Sequence, residues 1–545
     1  MGRLPLILAL GALPLAGVAA ALDEDDDVAE VIVGGRLFLE TRFSQYFFAH
    51  HQGRVNEPLA AGDPVMDRTA GVSEDLPGPF AGRSMNCRAC HLVNEHLKTP
   101  GGSVRTYTDF ARQSPVPARP DGATRTPRRS PILVNSTLAR SVPLLLHDDG
   151  EFASVEDLVR GTLTGRNFGW LPTEAAAAVR HIARVIRGDD GTDAFARKTA
   201  RLPYRVLFKG TDAAVAPFVQ IPAKYRLDVD QATDEEILNS VAKLIGVYVD
   251  SLQFAIFKPD LGALYVGSPY DAFLVKNSLP LRPAPGESDL VYSRRLREKI
   301  GVLSEPAWVG PADWGFKFHR QSFQFGPREL EGLKIFLAEP AGRSGSSIGN
   351  CAPCHTPPAF TDFSFHNNGA TQEDYDEAHG TGAFSSLKIP TLSERSKSPA
   401  RYLPASAALP DGRGIYRSVP AREHPGLADL GLWNVFANDA VPAPQPAIRS
   451  LLGVSAAPTD EDLERTVALF KTPTVRDLGQ TGPYFHSGRK DGLEAVLGHY
   501  ARISIRARAN QVRNGDSRLR DMSITDPDLG PLQAFLRSLN EDYND

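Results

Sequence analysis

Two five-residue stretches, Cys87-Arg88-Ala89-Cys90-His91 and Cys351-Ala352-Pro353-Cys354-His355, hold every cysteine of the 545-residue chain. Two thiols at this spacing, with an imidazole on the next residue, form the pattern that attaches a c-type haem. The thiols reach two vinyl groups of one porphyrin, and the histidine supplies the proximal iron ligand. Competing readings of paired cysteines are weaker. A structural zinc needs no histidine at the same offset in both copies. Neither does a thioredoxin-like redox pair, and two disulfides would leave the duplicated histidine unexplained. We therefore expect two covalently bound haems, with His91 and His355 on the irons.

The rest of the chain is read outward from these sites. Arg3, the apolar run Leu4 to Val18 and the small residues Ala19-Ala20-Ala21 predict a signal peptide over 1–21 and hence a periplasmic, exported protein. An uncleaved anchor fits less well, because the run is shorter than the ~20 residues a spanning helix needs. A formal net charge of -5 gives no electrostatic reason to bind nucleic acid. The 43 prolines and 47 glycines predict long irregular connections.

The order of signals repeats. Gly35-Arg36-Leu37-Phe38 precedes the first motif and Gly332-Leu333-Lys334-Ile335-Phe336 the second. A Thr-Pro element follows each, at Thr126-Pro127 and Thr472-Pro473, then a glycine and an amphipathic helix from about Val155 and from about Leu493. Each half closes on a capped helix, opened by Thr233-Asp234-Glu235-Glu236 and by Thr525-Asp526. Strand signals are sparse. The fold class expected is mainly α: two cytochrome-c-like haem domains with long loops and an insertion between them. We place the N-terminal haem domain at 22–256, the insertion or connection, with Trp308 and Trp314, at 257–325, and the C-terminal haem domain at 326–545.

Further segments carry a family likeness: Phe360-Thr361-Asp362-Phe363-Ser364-Phe365-His366-Asn367-Asn368-Gly369, Asp429-Leu430-Gly431-Leu432, Phe470-Lys471-Thr472-Pro473-Thr474-Val475-Arg476, and Thr481-Gly482-Pro483-Tyr484-Phe485-His486-Ser487-Gly488. With the haem motifs, they make the chain resemble the bacterial dihaem cytochrome c peroxidases and their relative MauG. The resemblance implies two unlike haems. The C-terminal one is six-coordinate and relays an electron; the N-terminal one meets peroxide or oxygen. It also implies a small redox-protein donor or an oxidised substrate as partner, and a homodimer in many members.

The sixth ligands are the open question. No methionine lies between Met85 and Met522, which weakens a plain carrier with two His/Met haems. Counting as the family does from His486 leads to Tyr500, and MauG also uses a tyrosine. Leu493, Val496, Leu497 and Tyr500 share one helical face, with His499 turned about 100° away. Tyr500 is the preferred ligand, and His499 or a purely structural Tyr500 remain alternatives. At the N-terminal haem, family alignment puts Leu158 and Phe168 where the family has a distal glutamine and glutamate, and Asp148 where it has a tryptophan. Arg166, Asn167, Phe168 and Trp170 are the candidates to line that pocket, and His147 to assist transfer; an ordinary loop and a satisfied polar histidine are the plainer readings. An apolar pocket there resembles the rubber oxygenases. The family's interdomain calcium would take carbonyls from Thr481 and Pro483, but Arg129 stands where an asparagine partner is expected, so calcium is left open. The leading function is a peroxidase; a MauG-like or rubber-oxygenase-like oxidase of a protein or organic substrate, and an unreactive electron carrier, are the rivals.

Overall fold

The computed structural model describes residues 28–57, 86–87, 90–94, 104–107, 113, 116–138, 140–212, 215–253, 256–258, 262–265, 267–313, 324–340, 347–478 and 481–540. The expected signal peptide and Trp314 lie outside these residues. The described chain is mainly helical. Its strands form three small antiparallel pairs, Leu92–Asn94 with Val104–Tyr107, Ile256–Lys258 with Gly262–Leu264, and Phe365–His366 with Phe470–Lys471.

In the first half, helix α1 (Ala29–Phe38) packs on the long helix α2 (Asp234–Ser251). In the second, α3 (Pro327–Leu337) packs on α4 (Asp526–Arg537). Both crossings are close because of a glycine. A Cβ on Gly34 would sit 2.2 Å from the Leu244 carbonyl oxygen, and one on Gly332 2.0 Å from that of Pro531. The matching pair is therefore Gly34 and Gly332, each four residues before a buried phenylalanine, Phe38 or Phe336. Alignment on Gly35, as read from sequence, is one residue out of register. The closing helices start as expected: Thr233 Oγ accepts from the Glu236 amide and the Thr233 amide donates to Glu236, while the Thr525 amide donates to Asp528.

Three apolar cores result. One is built from residues between Ala29 and Leu252. A second joins α3 and α4 to Tyr270, Phe273, Tyr292, Leu296, Val309 and Phe325. Described residues of the 257–325 segment from Tyr270 on thus pack onto the second half: Tyr270 N donates to Ser538 O, and buried Asp271 pairs with Arg476 at 2.9 Å. A third core, around Trp433 and Phe436, gathers residues from Phe365 to Ala468 together with Leu145 of the first half. No helix among the described residues is long and apolar enough to cross a membrane.

Each glycine crossing is testable. Gly332→Ala and Gly34→Ala force a methyl group into a backbone carbonyl, so each should destabilise the holoprotein by about 1–3 kcal/mol, read as a lower midpoint in urea unfolding. Ala substitution at the neighbouring Gly35, whose added Cβ would meet only the Tyr248 ring at 3.2 Å, should cost less.

Candidate haem sites

Each cysteine loop hangs from the end of its helix. Asn350 N donates to Ala338 O and Cys351 N to Phe336 O, at the end of α3. In the first half the Asn86 side chain donates to Leu39 O, just past α1, at 2.9 Å. An asparagine precedes the first cysteine in both motifs, a repeat that the sequence reading passed over. Both motifs close the same turn. Cys90 N and His91 N donate to Cys87 O at 3.1 and 2.8 Å, and Cys354 N and His355 N to Cys351 O at 3.2 and 2.8 Å. In the second motif both sulfurs and the imidazole line one cavity.

The four cysteines are free and half-buried. Burial pushes the Cys87 and Cys351 thiols up to about 12 and Cys90 to about 11, and raises Cys354 as well. Such surroundings disfavour thiolates and suit neutral thioethers.

The second site is a cavity lined by Cys351, Cys354, His355 and Tyr500, with apolar walls from Phe336, Leu478, Leu497, Leu532 and Met522. His355 Nδ1 lies 3.3 Å from Phe360 O and 3.2 Å from Pro473 O. Both partners are acceptors, so Nδ1 carries the proton and Nε2 keeps its lone pair for a metal. Burial lowers the imidazole's pKa, which keeps it neutral. The polar part of the lining includes Arg129, Lys471 and Arg518. Apolar walls, two sulfurs, one oriented imidazole and several cationic side chains match a flat apolar ring that carries carboxylates.

Tyr500 is half-buried, and burial pushes its hydroxyl up to about 12. The Asn368 amide donates to that oxygen at 3.3 Å, which acts in the opposite direction. Asn368 is held in turn. His499 Nε2 lies 2.9 Å from the Asn368 carbonyl, and His499 Nδ1 lies 2.7 Å from Glu373. Glu373 also meets Lys490 at 2.7 Å and Arg502 at 3.0 Å. Both ring nitrogens of the buried His499 are thus taken by acceptors, the Asn368 carbonyl and Glu373. Met522, 5% exposed, lines the same cavity as Tyr500. His366 stands on its polar side, between Asp362 at 2.7 Å and Asp516 at 2.8 Å. Burial opposes the charged ring, but the two carboxylates raise its pKa. Neither Asn368 nor His366 was picked out from the sequence, although both stand in the segment from Phe360 to Gly369 quoted for the family likeness.

At the first site, burial lowers His91 to about 4, with the Pro131 backbone carbonyl opposing that effect and nearby His147 adding to it. Ser130 bonds Cys90. Phe168 is 3% exposed within the first core, and the buried Trp170 donates its indole N–H to Phe43 O at 3.2 Å. Arg166 is committed to the 117–123 loop, with Asp121 at 2.7 Å and the carbonyls of Pro117 and Ala123 at 2.6 and 2.8 Å. Asn167 is half-buried beside it. His147 Nδ1 lies 3.2 Å from Glu151.

Arginines join the halves between the sites. Arg128 grips Asp429 through two nitrogens at 2.6 and 2.7 Å and reaches Asp149 at 2.7 Å. Arg417 meets the same Asp149 at 2.6 Å and Glu151 at 3.1 Å. Arg129 donates to Thr481 O at 2.6 Å and to Pro483 O at 3.0 Å. The side chain of Asp149 has 0% exposure, so the pairing is desolvated.

The sequence comparisons support the superfamily of dihaem cytochrome c peroxidases and MauG. MauG of Methylorubrum extorquens is 34% identical over 76 residues, 13% of this chain and 18% of its own. Cytochrome-c peroxidase IdrP2 of Pseudomonas sp. is 32% identical over 137 residues, 24% of this chain and 33% of its own. The matched segments thus span at most about a third of these relatives. No family model matches the chain. Two solved structures extend along most of it. A MauG-like protein associated with microbial copper homeostasis covers 97% of this chain and 95% of its own at 14% identity and TM-score 0.43. The dihaem peroxidase BthA of Burkholderia thailandensis covers 96% and 90% at 15% identity and TM-score 0.41.

Removing the Arg128 guanidinium leaves two buried carboxylates, Asp149 and Asp429, short of a cation. Arg128→Met should therefore destabilise the holoprotein by about 3–5 kcal/mol, measured by urea unfolding followed through the Soret band. A loss below about 1 kcal/mol would mean that the pairing is not desolvated in solution.

Proposed function

We propose that this chain is a periplasmic dihaem c-type oxidoreductase of the peroxidase type, exported by residues 1–21. In this reading 22–256 carry the reactive haem and 326–545 the relay haem. The carrying observation is the single cavity that gathers Cys351, Cys354, His355 and Tyr500. When bound, the haems supply one-electron redox chemistry and a site for peroxide. The balanced reaction takes hydrogen peroxide, two protons and two electrons to two waters, with the electrons drawn from a small redox protein.

The chain's residues would divide the work as follows. Cys87, Cys90, Cys351 and Cys354 form the thioethers. His91 and His355 bind the irons. Tyr500, steadied by Asn368, is the candidate sixth ligand of the relay haem, and a phenolate there favours the ferric state. His147, held by Glu151 within electrostatic reach of His91, can hold or pass a proton beside the reactive site. Phe168 and Trp170 belong to the apolar surroundings of that half, while Arg166 closes the 117–123 loop and the half-buried Asn167 stands beside it.

One observation favours the second reading. With Phe168 buried in an apolar core and Arg166 bound to Asp121, the expected distal segment presents little to move protons between peroxide oxygens. A MauG-like oxidase, or an oxygenase acting on a protein or organic substrate, tolerates such a pocket better.

Optical and EPR spectra of the holoprotein before and after one equivalent of hydrogen peroxide separate the readings. The peroxidase predicts one high-spin haem that reacts rapidly, and electron uptake from reduced cytochrome or cupredoxin. Two low-spin haems inert to peroxide, resting and half-reduced, would sink it. A stable oxygen adduct with slow peroxide chemistry favours the oxygenase. Tyr500→Phe should remove the phenolate charge-transfer band of the relay haem, whereas Met522→Leu should leave it. Absence of that band, with the relay-haem spectrum altered by Met522→Leu and not by Tyr500→Phe, makes Met522 the ligand.

A further inference from the structure

The superfamily places a calcium ion between its halves, and the residues here do not fit one. Thr481 and Pro483 do offer two converging carbonyls, but a single guanidinium nitrogen of Arg129 takes both, at 2.6 and 3.0 Å. Among the described residues no carboxylate lies within ion-pair distance of Arg129. A calcium site gathers six to eight oxygens, with carboxylates among them. This one has two backbone oxygens and a fixed positive charge at its centre. Burial works against the guanidinium, with Asp148 and Tyr484 opposing that effect, and its hydrogen bonds go to carbonyl dipoles. The Arg129 amide is also engaged, donating to His486 O at 3.0 Å. Backbone and side chain of one residue of the first half are thus fastened to the segment from Thr481 to His486 of the second.

We infer that Arg129 replaces the interdomain metal with a covalently carried cation, so that the two halves are coupled without calcium. A guanidinium is suited to this role. It stays charged when buried, is less strongly hydrated than an ammonium, and presents several N–H groups in a fixed plane. Because it is part of the chain, its occupancy does not vary with calcium supply. Adjacent Arg128 and Arg417 hold the same interface through carboxylates, so three arginines share this seam.

The inference rests on the superfamily reading only for the expectation of calcium, and its test does not use turnover. Purified holoprotein would be titrated with calcium chloride by calorimetry, and its thermal unfolding and EPR spectrum recorded with excess EGTA and with added calcium. We expect no binding isotherm and unchanged midpoints and spectra. Stoichiometric calcium binding, or a midpoint lowered by EGTA, would overturn the proposal. In parallel, Arg129→Asn, which removes the charge and returns the side chain of the family pattern, should lower the melting midpoint by roughly 2–4 °C. A variant that melts with the wild type would equally overturn the role of the arginine. If it does not fold at all, the calorimetric and EGTA measurements on the wild type still decide. A protein without peroxide activity that ignores calcium would sink the peroxidase reading and leave this one standing.

Discussion

A helix end must stand at a fixed height above each cysteine loop, and a glycine against a carbonyl sets that height. At Gly34 over Leu244 and at Gly332 over Pro531 the backbones meet with no room for a side chain. The closeness fixes how far α1 and α3 sit from the helices that close each half. The C-terminal carbonyls of α1 and α3, which lack helical partners, are then used by the polar groups of the next segment. Leu39 O accepts from Asn86, and Phe336 O and Ala338 O accept from Cys351 and Asn350. Backbone geometry positions the sulfurs, and contacts such as Cys351 Sγ to Gly349 O at 3.2 Å add to it. A displaced helix pair would move both sulfurs and the imidazole together.

The second constraint is electrostatic and joins the halves. Burying Arg128, Asp149, Asp429 and Arg417 costs desolvation that their attraction offsets only if every lone pair is served. Such a seam adds little net stability over an apolar one, yet it tolerates few alternative arrangements. The bidentate grip of Arg128 on Asp429 fixes both distance and angle. A comparable buried set, Arg36 and Arg42 with Glu40, Asp189 and Asp193, ties α1 to the loop after Gly188 within the first half. Both sets hold orientation where the apolar cores alone would allow sliding.

Much of this was legible in the sequence where the signal is local. The paired Cys-x-x-Cys-His motifs, the Thr-led helix starts and the apolar face that carries Tyr500 all lie within a few residues of one another. The register of the glycine pair was not legible, since Gly34 and Gly35 look alike until a partner helix distinguishes them. Nor was the destination of 257–325: its buried tyrosines and phenylalanines state that it packs, not on what. His499 shows the same limit. Its spacing removed it from the Tyr500 face, but that it would hold the Asn368 carbonyl with Glu373 behind it depends on residues more than a hundred positions away. Arg129 was recognisable as misplaced for a metal, while the two carbonyls it takes are defined only by folding.

The two sites end up unlike despite the repeat, and the difference lies in what surrounds a shared loop. The second motif faces a cavity whose lining includes a hydrogen-bonded phenol and a thioether, with a histidine between two carboxylates alongside. Around the first motif the identified neighbours are the Ser130-Pro131 segment and His147, and the residues expected at its distal side are drawn into an apolar core and a loop clamp. That segment also runs along the backbone from one site to the other. Ser130 bonds Cys90 and the Pro131 carbonyl acts on His91, while the next residue back, Arg129, bonds His486 and faces the second cavity. A shift of this segment toward either site is felt at the other. Duplication thus explains the common loop, and divergence of the wall opposite it, bridged by residues 128–131, explains why two equal attachment sites need not do equal chemistry.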